Sequence, residues 1–137
     1  MEVIATETEG AASFAAGFQA GKPVRLPAIS SLATSLGALE VTGAALEYAR
    51  RQPTSARVVT DAEAVSACRR FLHDHRLLVE PACGAALALG YTPRHREEVR
   101  RASEAKGGRP VVIVVCGGSG ITAEILGEME RSVGLRE

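Results

Sequence analysis

The chain has 137 residues, 46% of them apolar and 23% charged, which is enough for one domain with a hydrophobic core and unlike a disordered composition. Sixteen basic and sixteen acidic residues cancel, so no basic patch points to nucleic acid or an anionic membrane and no acidic run forms a tail. No basic segment followed by an apolar core marks a secretory signal, and the longest apolar run, Val111 to Cys116, is far too short to span a bilayer.

In chain order, Glu2 to Thr6 reads as a short strand, followed by Gly10-Ala11-Ala12-Ser13 and a helix to about Ala20. Gly21, Pro23 and Pro27 make an irregular connection. A helix is expected from about Ser30 to Leu36, ending at Gly37, a residue suited to a C-cap. Gly43 to Arg51 looks helical, Pro53 closes it, and Arg57 to Val59 reads as a second strand. Thr60-Asp61-Ala62-Glu63 is a capping box, and Val65, Cys68 and Leu72 recur at helical spacing in a helix running to about Asp74. Pro81 to Tyr91 carries no charge and should be a buried helix, and Pro93 opens a charged one. In that charged helix, Arg94 to Arg101 is interrupted by Glu97 and Glu98 and reads as a solvated face. Val111 to Val115 reads as a strand buried on both faces. Gly117 to Gly120 then turns the chain into a last helix, Ala123 to Val133.

This order implies an α/β fold with parallel strands and crossover helices. A strand buried on both faces needs neighbours and two helical layers. Only three strands are legible, so the chain reads as a fold missing its first half.

Three loops could carry chemistry. The glycine cluster after the apolar strand can admit an anion or a flat ring. Its Gly118-x-Gly120-x-x-Ala123 matches the dinucleotide fingerprint, but no second strand ending in an acidic residue follows, so that reading is rejected in favour of a tight turn. Glu7, at a strand end before Gly10-Ala11-Ala12, is a ligand-crevice candidate or else a solvated carboxylate. Glu80-Pro81-Ala82-Cys83-Gly84 lets a helix start pack closely, for a ligand or for packing alone. His73, His75 and His95 lie on charged segments and are expected at the surface. Cys68, Cys83 and Cys116 are odd in number and lack zinc spacing, which suits reduced thiols in a cytoplasmic compartment. Taken by itself, Cys116 would be an ordinary buried thiol.

Four segments, VIATETEGAASF (3–14), LPAISSLATSLGA (26–38), LLVEPACGAALA (77–88) and VVIVVCGGSGIT (111–122), together resemble the serine/threonine dehydratases. These are the L-serine ammonia-lyase branch of the fold-type-II pyridoxal-phosphate (PLP) enzymes. The resemblance covers essentially the whole chain. The cysteines in Glu-Pro-Ala-Cys-Gly and Val-Cys-Gly-Gly-Ser are similar to the serine dehydratase type rather than the biosynthetic threonine deaminases.

The resemblance implies that residues 1–137 form the C-terminal part of the large catalytic domain, a three-layer parallel-sheet, tryptophan-synthase-β-like fold, with the N-terminal part and the small domain absent. It implies PLP as cofactor, with Cys116 facing the pyridine nitrogen and Gly117 and Gly118 leaving room beside the ring. It implies a monovalent cation, potassium, held by Glu7 and the backbone carbonyls of Ala11, Leu36 and Ala38, since carbonyls can replace a potassium ion's hydration shell. It also implies β-elimination from a small amino acid, L-serine or L-threonine, and a homodimer for the complete enzyme.

Two departures from the family pattern stand out. Gly120 occupies a position where the family commonly has asparagine, and the family's Schiff-base lysine and phosphate cradle lie in segments not present here. Lys22 and Lys106 do not match the catalytic motif, so the isolated chain is expected to be inactive. The rival readings are a non-catalytic partner chain derived from the family, and another small α/β phosphate-binding protein.

Overall fold

The computed structural model describes residues 1–135. Val3–Thr8 forms β1 and Thr54–Val59 forms β2, two parallel strands paired from Val3 opposite Thr54 to Thr8 opposite Val59. Their valine, isoleucine and threonine side chains are branched at Cβ and suit a pleated, half-buried surface. Parallel neighbours need a long crossover. Residues 9–53 supply it, carrying α1 (Ser13–Ala20), a 3-10 turn at Thr34–Leu36, and α2 (Gly43–Arg50). After β2 come α3 (Asp61–His75), α4 (Pro81–Tyr91), α5 (Pro93–Glu104) and α6 (Ala123–Ser132).

The capping box at the start of α3 is formed. Thr60 Oγ1 accepts the Glu63 amide at 3.1 Å, and Glu63 Oε2 accepts the Thr60 amide at 2.9 Å. Pro81 and Pro93 each open a helix, at the position where a missing N–H costs nothing.

The apolar residues divide into two clusters. The larger joins α3, α4 and α6 through Val65, Cys68, Leu87 and Leu126, with Val59 of β2 and Ile4 of β1 packed on it. The smaller lies between α1 and α2, where a Cβ on Gly17 would meet Val41 Cγ1 at 2.8 Å and Leu46 Cδ1 at 3.4 Å. Helices packed around a parallel strand pair make this an α/β fold. Helices α3 and α4 approach closely at Gly84, where an added Cβ would sit 2.2 Å from the Ala64 carbonyl oxygen. Among the described residues, no helix is long and apolar enough to cross a membrane.

Four expectations need correction. First, Val111–Val115 is not paired into the sheet: Val111, Val112 and Val114 are 52%, 83% and 71% exposed, whereas Ile113 and Val115 pack on the larger cluster. One side of this segment has helices to cover it, and among the described residues the other side has nothing. Cys116, which continues the outward side, is likewise exposed rather than buried.

Second, the helix expected over 30–36 is reduced to the 3-10 turn. Side chains take the amides that a helix would have used: Asp61 Oδ2 accepts the Leu32 amide at 2.9 Å, and Ser31 Oγ accepts the Ala33 amide at 3.0 Å. Gly37 is not left-handed there (φ −76°); a Cβ would meet Ile29 Cγ2 at 2.8 Å, so close packing requires the glycine.

Third, β1 runs on to Thr8, so Glu7 lies inside the strand rather than beyond its end. Fourth, His95 is buried, while His73 and His75 are exposed as expected. The tight α4–α5 junction folds the first turn of α5 back toward α3, leaving His95 Nε2 3.4 Å from Glu63 Oε1.

Candidate functional site

The residues singled out by sequence fall into two groups held by different elements. The first group is Cys116, Gly117 and Gly118, at the end of the 111–115 segment. Its backbone is fastened to the start of α4. The Gly117 carbonyl accepts the Glu80 amide at 3.3 Å and the Cys83 thiol at 3.2 Å, and the Cys116 amide donates to Cys83 Sγ at 3.3 Å. Gly118 must be glycine: a Cβ there would stand 2.9 Å from Val79 Cα and 3.0 Å from Glu80 N.

Gly117 differs. Its φ of +125° disfavours a side chain, yet a Cβ there would meet nothing within 4 Å. An exposed thiol therefore stands beside open space next to a side-chain-free backbone. This arrangement admits the face of a flat ring and offers it one weak hydrogen-bond donor and acceptor.

The second group is Glu7, Ala11, Leu36 and Ala38. Glu7 is not a solvated carboxylate. Its Oε1 accepts the Phe14 amide and its Oε2 the Ala15 amide, both at 2.8 Å. Those amides belong to the first turn of α1, where a negative charge is favoured. Because Ala15 donates to Glu7, the buried Ala11 carbonyl is left outside the helical ladder. Among the described residues, the carbonyls of Ala11, Leu36 and Ala38 accept no hydrogen bond.

The loop bearing Leu36 and Ala38 is drawn to the end of β1. Ser30 N–H donates to the Gly10 carbonyl at 3.1 Å, and Thr8 Oγ1 meets Ser31 Oγ at 2.6 Å. Ser31 Oγ in turn donates to Asp61 Oδ1 at 2.6 Å. Among the described residues, no group of three His, Cys, Asp or Glu side chains is placed to hold a metal ion. What the second group offers by chemical type is one carboxylate, engaged by the Phe14 and Ala15 amides, and carbonyl oxygens that accept no hydrogen bond among the described residues.

Sequence reasoning missed the residues that hold both groups. Cys83 lay in a motif read for its small side chains, and a thiol bonded to distant backbone leaves no local pattern. Thr8, Ser31 and Asp61 form their network across 23 and 30 positions of sequence. Asp61 was legible only as an acidic residue at a helix start. As for the two lysines, Lys22 is exposed before Pro23, and Lys106 pairs with Glu2 just ahead of β1.

Burial pushes the Cys68 thiol up to about 12, with the neighbouring Cys83 and the more distant Glu80 carboxylate adding to the rise. Cys68 is therefore an inert core thiol.

Comparison with known proteins places the chain in a family and a fold. The family model described as "Pyridoxal-phosphate dependent enzyme" matches residues 1–117. The chain is 47% identical over 135 residues to the serine dehydratase-like protein of Mus musculus, covering 96% of this chain and 40% of that one. It is 42% identical over 136 residues to the L-serine dehydratase/L-threonine deaminase of Bos taurus, covering 97% and 41%. The crystal structure of a fungal L-serine ammonia-lyase from Rhizomucor miehei is similar at a TM-score of 0.84 and 36% identity, covering 96% of this chain and 41% of that one. Maize serine racemase, at a TM-score of 0.75 and 24% identity, shares the fold. The chain thus spans about 40% of the length of the curated relatives it matches. It belongs to the pyridoxal-phosphate dependent enzyme family.

Proposed function

We propose that residues 1–137 are the C-terminal part of the large catalytic domain of a PLP-dependent L-serine/L-threonine ammonia-lyase. The observation that carries this reading is the Cys116-Gly117-Gly118 turn: an exposed thiol beside open, side-chain-free backbone, fastened to the start of α4. The likeness to the fungal L-serine ammonia-lyase supports it. The cytoplasm as the site of action and a homodimer for the complete enzyme belong to the same proposal.

When bound, the cofactor supplies the electron sink for loss of the β-hydroxyl, giving pyruvate or 2-oxobutyrate and ammonia. The residues of this chain do three things. Cys116 meets the pyridine nitrogen with a thiol, which supports positive charge there far less than a carboxylate does. Gly117 and Gly118 keep side chains away from the ring. Glu7 organises the start of α1, and together with the carbonyls of Ala11, Leu36 and Ala38 it holds a monovalent cation, potassium. Neither Lys22 nor Lys106 lies in either group, so neither is assigned as the cofactor's attachment point.

The test is release of pyruvate from L-serine and of 2-oxobutyrate from L-threonine in the presence of PLP. The isolated chain is expected to release neither. The same chain joined to the part of the Rhizomucor miehei enzyme that it does not cover is expected to release both. A fusion that folds and retains PLP but releases no keto acid would contradict the proposal and favour a non-catalytic relative.

A further inference from the structure

We infer that Cys83 is a positioning residue for the cofactor-facing turn. Its buried thiol clasps the backbone on either side of the Cys116 side chain and fixes the direction in which that side chain stands. The cofactor end of this inference rests on the proposed role of Cys116; the clasp itself does not.

Cys83 lies in the first turn of α4 and is 4% exposed. A thiol has one hydrogen to donate and lone pairs to accept, and here it does both. Sγ accepts from the Cys116 amide at 3.3 Å and donates to the Gly117 carbonyl at 3.2 Å. The Cys116 amide has no other recourse among the described residues, because the 111–115 segment forms no strand ladder. The Gly117 carbonyl has a second donor in the Glu80 amide. Among the described residues, the thiol is thus the one group tying down the amide side of Cys116.

The anchor is itself rigid. One residue on, Gly84 seats α4 on α3 so closely that a Cβ would strike the Ala64 carbonyl and Cys68 Sγ. Gly118, on the far side of the turn, abuts Val79 and Glu80. The turn therefore follows α4, and Cys83 transmits that position to Cys116. Serine offers the same donor and acceptor on a shorter bond, so it should restore the clasp in part. Alanine and valine offer neither group, and valine keeps most of the volume.

The clasp is tested on the 137-residue chain by amide hydrogen exchange read residue by residue. In Cys83→Ala and in Cys83→Val, exchange at Cys116 should rise roughly five- to ten-fold, as expected for the loss of one hydrogen bond. Amides in the middle of α4, such as those of Leu87 and Ala88, should be unchanged, and Cys83→Ser should fall between. If alanine leaves a cavity that unfolds the chain, the valine variant decides. Unchanged exchange at Cys116 in a folded Cys83→Val, or an equal rise throughout α4, overturns the clasp.

The cofactor end is read in the PLP-loaded fusion. The pH titration of cofactor absorbance should shift in the same direction in Cys83→Val and Cys116→Ser, with Cys83→Ser closer to wild type. A clasp that responds in exchange, with a cofactor spectrum indifferent to both residues, overturns the placement of Cys116 at the ring and leaves only the structural bond.

Discussion

Gly84→Ala should separate α3 from α4 and destabilise the chain. In an isolated helix, alanine in place of glycine is worth about 1 kcal/mol of added stability. At this position the gain is overwhelmed. The new Cβ would sit 2.2 Å from the Ala64 carbonyl oxygen, 2.6 Å from Cys68 Sγ and 2.9 Å from the Ala64 carbonyl carbon. Two of these atoms are backbone and cannot rotate aside, so the helices must part by about 1 Å in an interior packed like a crystal. Parting them loosens Val65, Ala67 and Cys68 from Ala85, Leu87 and Ala88, all of them buried. A Cβ 2.2 Å from a backbone oxygen puts the overpacking at the upper end of its usual range, about 3 kcal/mol or more, so the net loss after the helical gain should be about 2 kcal/mol or greater. Urea unfolding followed by far-ultraviolet circular dichroism should show the midpoint falling by about 1 M or more at a typical slope. Gly127→Ala in α6 is the control. Its Cβ would meet only the end of the flexible Arg131 side chain, at 3.6 Å, so it should gain up to about 1 kcal/mol. A Gly84→Ala chain as stable as wild type would refute the close approach of α3 and α4.

Three further outcomes are expected. Because burial raises the Cys68 thiol to about 12, the unfolded chain loses that proton first as pH rises. The contribution of Cys68 is intact below about pH 8.5, the ordinary thiol value, and declines from there toward pH 12, by about 1 kcal/mol or a little more per unit. The stability difference between wild type and Cys68→Ala should shrink across that window, and a constant difference would contradict it. In the fusion enzyme, Glu7→Gln should raise the potassium concentration needed for half-activation several-fold, because an amide donor replaces one carboxylate oxygen and the charge is lost. Potassium dependence identical to wild type would remove Glu7 from the cation site. Iodoacetamide followed by peptide mapping should label Cys116 well ahead of Cys68 and Cys83, in keeping with their exposure; preferential labelling of Cys83 would contradict the described burial.

The elements legible in the sequence were those whose cause is local. The Thr60 to Glu63 capping box, the proline starts at Pro81 and Pro93, and the uncharged run of α4 each appear where their pattern places them. The misreadings share a different cause. Whether Val111–Val115 is covered on one face or two depends on what packs against it, and an apolar run carries no record of its neighbours. Residues 30–36 look helical until Asp61, 29 positions away from Leu32, takes an amide that the helix would have needed. His95 sits in a charged stretch and is buried only because α5 folds back toward Glu63. The same division applies to the site. Glu7, Cys116 and the glycines were legible as residue types in a familiar order, whereas the thiol of Cys83 and the Thr8-Ser31-Asp61 network act through bonds that only the folded chain brings together.

The proposed place of Cys116 at the pyridine nitrogen of the cofactor is put to the test by Cys116→Asp in the fusion enzyme. A carboxylate there pairs with a protonated ring and alters the electron sink on which elimination depends, whereas Cys116→Ser keeps an uncharged donor. With PLP retained in both, pyruvate release from L-serine should fall at least roughly ten-fold in Cys116→Asp and stay near wild type in Cys116→Ser, ten-fold being about 1.4 kcal/mol of transition-state stabilisation. Wild-type turnover in a PLP-loaded Cys116→Asp enzyme would contradict the claim and return Cys116 to an exposed thiol with no part in the chemistry.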